Sequence, residues 1–140
     1  MEVLLLIGRI LFSLIFLASG VAGHLMATDD TAGYAESRGV PNPRLLVQIS
    51  GVLIALGGLG VIFGVWMDLA ALGLLAYALI AAFMVHHFWT DTDDMTKNME
   101  MSLFMKNISM AGGGLVIFVL SGAGVPMGWE LGDRLFDFSL

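Results

Sequence analysis

Four apolar runs, residues 3–25, 45–66, 69–88 and 103–120, constrain this chain more than any other feature it has. A helix needs about 20 mostly apolar residues to cross the hydrocarbon core of a bilayer, and each run comes near that length. Within lipid, unpaired backbone groups are so costly that a spanning segment is a helix or part of a closed barrel, and these runs lack the alternating period of barrel strands. The fold predicted is all-α, an antiparallel bundle of four transmembrane helices in which residues 1–140 make one membrane domain. Composition agrees, with 58% apolar and 13% charged residues and a mean hydropathy of +0.89, far from a soluble domain. The net charge of -6 resides in connections and tails and forms no basic patch, so no nucleic-acid partner is expected.

Run 1 differs from a secretory signal: Glu2 makes its start acidic, Arg9 interrupts it, and it is too long. Cysteine is absent, which excludes thiolate metal ligation, iron–sulfur clusters and cysteine nucleophiles in these residues. The connection 27–44 is the longest, and Asn42-Pro43 at its end reads as a cap followed by proline in the first helical turn. Gly64 to Asp68 forces a tight hairpin between spans 2 and 3, with Asp68 placed to cap the third. Asp93 or Asp94 can cap a helix that begins well before the fourth apolar run, and on its first turns Lys97 and Glu100 lie three apart on one face. After Leu120 a turn-rich tail carries Trp129, Leu135, Phe136 and Phe138 among acids, as expected of a segment that rests on the surface. Glycines at 20, 23, 57, 58, 60, 64 and 112–114 are expected where helices touch.

Antiparallel topology places both longer connections on one side of the membrane. His24, His86, His87 and Lys106, distant in sequence, then share that level. Arg38, Arg44, Lys97 and Lys106 on that side outnumber Arg9 and Arg134 on the other, which assigns the long connections to the cytoplasm.

The segments GRILFSLIFLASGVAGHL, AGYAESRGVPNPRLL, HHFW and FMKNISMAGGGL, in that order and over nearly the whole chain, resemble the DoxX family of small four-helix membrane proteins. The resemblance maps that family's motifs onto Gly8-Arg9, Ser19-Gly20, Tyr34, Gly39-Val40-Pro41, His86 with Phe88-Trp89, and Lys106-Asn107. Many relatives carry lysine where this chain has His24, and glutamate where it has Ala55; the loss of that acid speaks against a proton relay transferred from them. The family is named for association with a membrane quinol oxidase and a thiosulfate:quinone oxidoreductase system. A multi-pass protein of a prokaryotic cell membrane is therefore implied.

The candidate ligand-binding residues are His24, Tyr34, His86, Trp89, Lys106 and Asn107, which would rim a polar pocket at the loop side suited to a quinone headgroup. Histidine and tryptophan at helix ends also serve as ordinary interface anchors, and sequence alone leaves both readings open. Haem would use His24 with His86 or His87, but their position at the membrane boundary and the diagonal placement of their helices argue against it. The methionines at 95, 99, 101 and 105 suggest copper, yet they form i,i+4 pairs that pack without metal. Asp91, Asp93 and Asp94 lack the pattern of a calcium loop and fit a solvated turn with a helix cap. Arg9 and Asp68 are read as structural polar residues at the opposite level, where Arg9 snorkels or pairs with Asp68 or a tail acid. No catalytic series or metal-ligand spacing appears, so neither a catalytic residue nor a resident cofactor is expected.

The function expected is a non-catalytic subunit, anchor or assembly partner of a quinone-linked redox complex, with the bilayer, oxidoreductase subunits and a second copy of itself as candidate partners. The alternative is a binding or transport protein for a quinone or lipid, with its pocket at the loop side.

Overall fold

The computed structural model describes residues 1–138. From the amino terminus, α1 (Glu2–Ala18) runs without a break into a π-helical segment, Ser19–Met26. There follow α2 (Thr28–Ser37), α3 (Pro43–Phe63), α4 (Met67–Met84), a short 3-10 turn at Phe88–Thr90, and α5 (Asp94–Gly122). Four of these helical stretches are long and apolar enough to cross a membrane, and no strand occurs among the described residues. The all-α bundle predicted from the apolar runs is the fold observed.

Around the bundle α1 packs on α3, α3 on α4, and α4 on α5. α1 meets α5 where Phe12 lies over Gly113. Every span contributes to the core, with Phe16, Ile54, Leu74 and Ile117 all buried. Contact between α1 and α3 is closest at Gly20 and Gly51. A Cβ on Gly20 would stand 2.8 Å from the Gly51 carbonyl oxygen, and one on Gly51 would stand 2.6 Å from Cβ of His24. Gly112, expected at a helix contact, instead faces open space.

Several expectations at the helix ends are corrected. The connection 27–44 contains α2, whose Ala32 and Ala35 form a small buried face three residues apart. Asn42 begins α3 through a left-handed backbone (φ 45°) rather than a side-chain cap, with Pro43 in the first turn. Asp68 does not cap α4. Trp66, also left-handed at φ 45°, holds that position, and the Asp68 side chain accepts from the amides of Leu69 at 2.8 Å, Leu135 at 2.6 Å and Phe136 at 2.5 Å. Asp93 caps α5, accepting from Thr96 N and Oγ1, each at 2.8 Å, so that helix starts well ahead of its apolar run as expected.

Arg9 does not snorkel and makes no direct ion pair among the described residues, although Glu130 of the tail acts on it through space. It is 2% exposed and donates to four carbonyls: Nε to Val61 (2.7 Å), Nη2 to Ile62 (2.6 Å), and Nη1 to Met127 (3.1 Å) and Trp129 (2.7 Å). Val61 and Ile62 belong to the last turn of α3, where carbonyls have no partner within the helix. The next two carbonyls, Phe63 and Gly64, accept from the tail amides of Leu131 and Gly132, both at 3.0 Å. The tail is thus a cap for α3, and the guanidinium fork joins it to α1.

Candidate functional site

A cavity of about 1100 Å³ lies chiefly between α3 and α4. It follows α3 from Leu46 to Phe63, about 25 Å at 1.5 Å per residue. Leu53, Leu56 and Ile80 line it and are also exposed, so it opens toward the bilayer. Thr31 and Tyr34 of α2 help to close its loop-side end, where His24, Ser50, Tyr77, His86, Lys106 and Asn107 also contribute. Below that level the lining is almost wholly apolar.

His24 sits in the π-helical segment, a wider turn of the kind often found at functional sites. Its Nδ1 faces the Val47 carbonyl at 3.2 Å and Ser50 Oγ at 2.8 Å, while Nε2 faces the Tyr77 hydroxyl at 3.2 Å. A carbonyl can only accept, so Nδ1 carries the hydrogen and Nε2 receives the one from Tyr77. Both ring nitrogens are therefore engaged, and ligation of haem by His24 would break these bonds.

His86 is held differently. Its Nδ1 lies 2.9 Å from Oε2 of Glu100, and the other oxygen, Oε1, accepts from the Tyr34 hydroxyl at 2.5 Å. Glu100 is 1% exposed. Burial and the hydrogen bond to Glu100 push the Tyr34 phenol above its ordinary range, which keeps it a neutral donor.

A second layer binds the two long connections together. Arg38 donates Nη1 and Nη2 to the two oxygens of Asp91 at 2.8 and 3.1 Å, and Nε to the Val85 carbonyl at 2.7 Å. The guanidinium holds Asp91 below its usual value, and the same hydrogen bond raises Arg38. His87 joins this layer: Nε2 donates to the Arg38 carbonyl at 3.1 Å, and Nδ1 accepts from Arg38 Nη2 at 3.3 Å and lies 2.7 Å from Thr90 Oγ1. His87 does not line the cavity.

Of the residues singled out from the sequence, His24, Tyr34, His86, Lys106 and Asn107 come together around the loop-side end of the cavity. Trp89 does not. It is 53% exposed and packs edge-on against Phe88 and Phe104, with ring centroids 5.4 and 5.8 Å away. Sequence reasoning missed Glu100, Ser50, Tyr77 and the Arg38–Asp91 pair. Glu100 had a signal: with Asn107, Ala111 and Gly114 it forms one inward row of α5, all four buried. The pairing with Lys97 on a solvated face concealed that row; the structure gives Glu100 to Tyr34 and His86 instead. No group of three or more histidine, aspartate or glutamate side chains is disposed to hold a metal among the described residues.

The DoxX family model matches residues 4–87. Inner membrane protein YphA of Escherichia coli (strain K12) is 34% identical over 117 residues, covering 84% of this chain and 82% of that protein. Inner membrane protein YqjF of the same organism is 30% identical over 118 residues, covering 84% of each. No solved structure matches. The names of these relatives and the four apolar helices together indicate a bacterial inner-membrane location. With its four spans, motif order and matched residues, the chain belongs to the DoxX family of integral membrane proteins.

Proposed function

We propose that this protein binds a long-chain amphiphile of the quinone or lipid type, taking the tail between α3 and α4 and the headgroup at the loop-side end. The observation that carries this reading is the cavity. At about 1100 Å³ it exceeds the roughly 300–1,000 Å³ of ordinary small-molecule sites, and it is elongated, open to lipid and polar at one end only. An aqueous metabolite would gain nothing from so long an apolar groove.

Gly73 supplies the test. It lines the cavity, and a Cβ placed on it meets nothing within 4 Å, so the side chain of Gly73→Leu starts in open space and is expected to extend into the groove. Protein purified in mild detergent is expected to carry a stoichiometric long-chain species by lipid mass spectrometry, and Gly73→Leu is expected to lose it while melting no lower than wild type. Equal, non-stoichiometric lipid in both proteins would defeat the proposal. The subunit reading rests on the family resemblance, and no residue described above gives it separate support; native copurification is its test.

A further inference from the structure

The three histidines of the loop side differ in one respect that bears on the headgroup. Both ring nitrogens of His24 and both of His87 have partners within the protein. Among the described residues His86 has partners only at Nδ1, through Glu100 and the more distant Tyr34 hydroxyl at 3.4 Å. Its Nε2 has none, yet the only partnerless side-chain polar atom sealed away among the described residues is Ser13 Oγ. His86 Nε2 is therefore reachable, and His86 is a cavity residue.

The hydrogen on this ring is placed by its neighbours. Glu100 already receives the Tyr34 hydroxyl hydrogen on Oε1, and as a carboxylate its Oε2 can only accept, so His86 Nδ1 is the donor. A neutral imidazole with hydrogen on Nδ1 presents a lone pair at Nε2. A buried carboxylate behind the ring fixes this tautomer and strengthens the acceptor, as in other carboxylate–histidine pairs. The free ring nitrogen of this cavity residue is thus an acceptor that asks for a hydrogen.

Charge narrows the class further. Lys106, a cavity residue with no ion-pair partner among the described residues, sets a cation at the same end of the cavity, and the buried Glu100 carboxylate lies behind the His86 ring. An anionic head could pair with Lys106 but has no hydrogen to give to Nε2, whereas a neutral hydroxyl has one. We infer that the amphiphile's head carries a neutral hydroxyl that donates its hydrogen to His86 Nε2, the Glu100–Tyr34 pair serving to hold the ring in the accepting tautomer. This rests on the amphiphile-binding reading above and names the head it selects; within a quinone couple it is the hydroquinone, not the quinone.

The experiment compares three probes on the full chain in phosphatidylcholine nanodiscs by titration calorimetry: a long-chain 4-alkylphenol, its methyl ether, and an n-alkanol of matched length. The phenol is expected to bind about tenfold tighter than the ether, the worth of one good hydrogen bond to a buried acceptor. In His86→Leu or His86→Phe that ratio is expected to fall to about one with the ether's affinity unchanged, which also reports an intact cavity. An alkanol that binds as tightly as the phenol assigns the site to hydroxyls generally, and a weaker alkanol assigns it to phenols. Equal affinity for phenol and ether in the wild type, or a ratio unchanged by loss of His86, overturns the inference and leaves the cavity reading standing. Binding of none of the three overturns both.

Discussion

Replacing Arg9 with methionine removes a side chain on which three parts of the chain depend. Four hydrogen bonds disappear, two to the α3 end (Val61, Ile62) and two to the tail (Met127, Trp129). Bonds from a charged donor contribute about 1.5–3 kcal/mol each, but the sum overstates the loss because the tail carbonyls regain water once they swing free and the desolvated cation is gone. The α3 carbonyls have no such relief while they stay in the bundle. A net cost of about 3–5 kcal/mol is expected, the value typical of breaking one side of a buried charged contact. At this chain length that corresponds to a fall in melting temperature of about 10–17 °C. Thermal unfolding in detergent, followed together with protease cleavage of residues 123–136, is the assay; melting and tail cleavage should change together. Arg9→Lys should recover no more than part of the loss, since an ammonium is a single point and cannot span carbonyls on two segments as the fork does. A methionine variant with wild-type melting and an uncut tail would refute the claim that this guanidinium fastens the tail to α1 and α3.

Other outcomes follow from the same geometry. Gly51→Ala would drive a methyl to 2.6 Å from Cβ of His24, and a cost of about 1–3 kcal/mol in the melting curve is expected. The hydrogen bond of His24 to Ser50 should be lost with it, seen as a changed histidine ring signal in NMR. Because Arg38 holds Asp91 below its ordinary 3.8, the Arg38–Asp91 link contributes fully above that value and is lost only as pH falls through the lower folded value. Stability from this pair should therefore be flat between pH 7 and about pH 5, and Asp91→Asn should soften the acid limb of the unfolding profile without removing it. The chain has no native cysteine, so single cysteines at Glu36 or at Asp133, both exposed, report orientation directly. If the basic residues of the long connections set topology, only the cysteine at 133 is labelled by an impermeant reagent from the periplasmic side.

The spans were legible because burial in lipid requires long apolar runs, and composition carries that requirement openly. Asp93 as the start of α5 was legible for a local reason, a side chain placed to accept from the third amide onward. What failed to show was anything that depends on backbone acceptors. The partners of Arg9 are carbonyls, which every residue possesses, so no search for an acid could find them. Asp68 likewise answers to amides of the tail. At the site, topology brought His24, His86 and Lys106 to one level, but their different roles depend on which ring nitrogen is engaged. That is decided by Ser50, Tyr77 and Glu100, and only Glu100 left a trace in the spacing along α5. Trp89 shows the converse: its place in the HHFW motif suggested the cavity, while the 3-10 turn at Phe88–Thr90 directs it to an outer aromatic cluster.

The end of α3 also sets an order of events during synthesis. Its last carbonyls are made when residue 64 has been added, yet the amides that close Phe63 and Gly64 belong to Leu131 and Gly132. Until that later stretch is translated, the turn between α3 and α4 must stay where water or translocation machinery can satisfy it. The end of α3 therefore gains its last backbone partners only after the fourth span has been made.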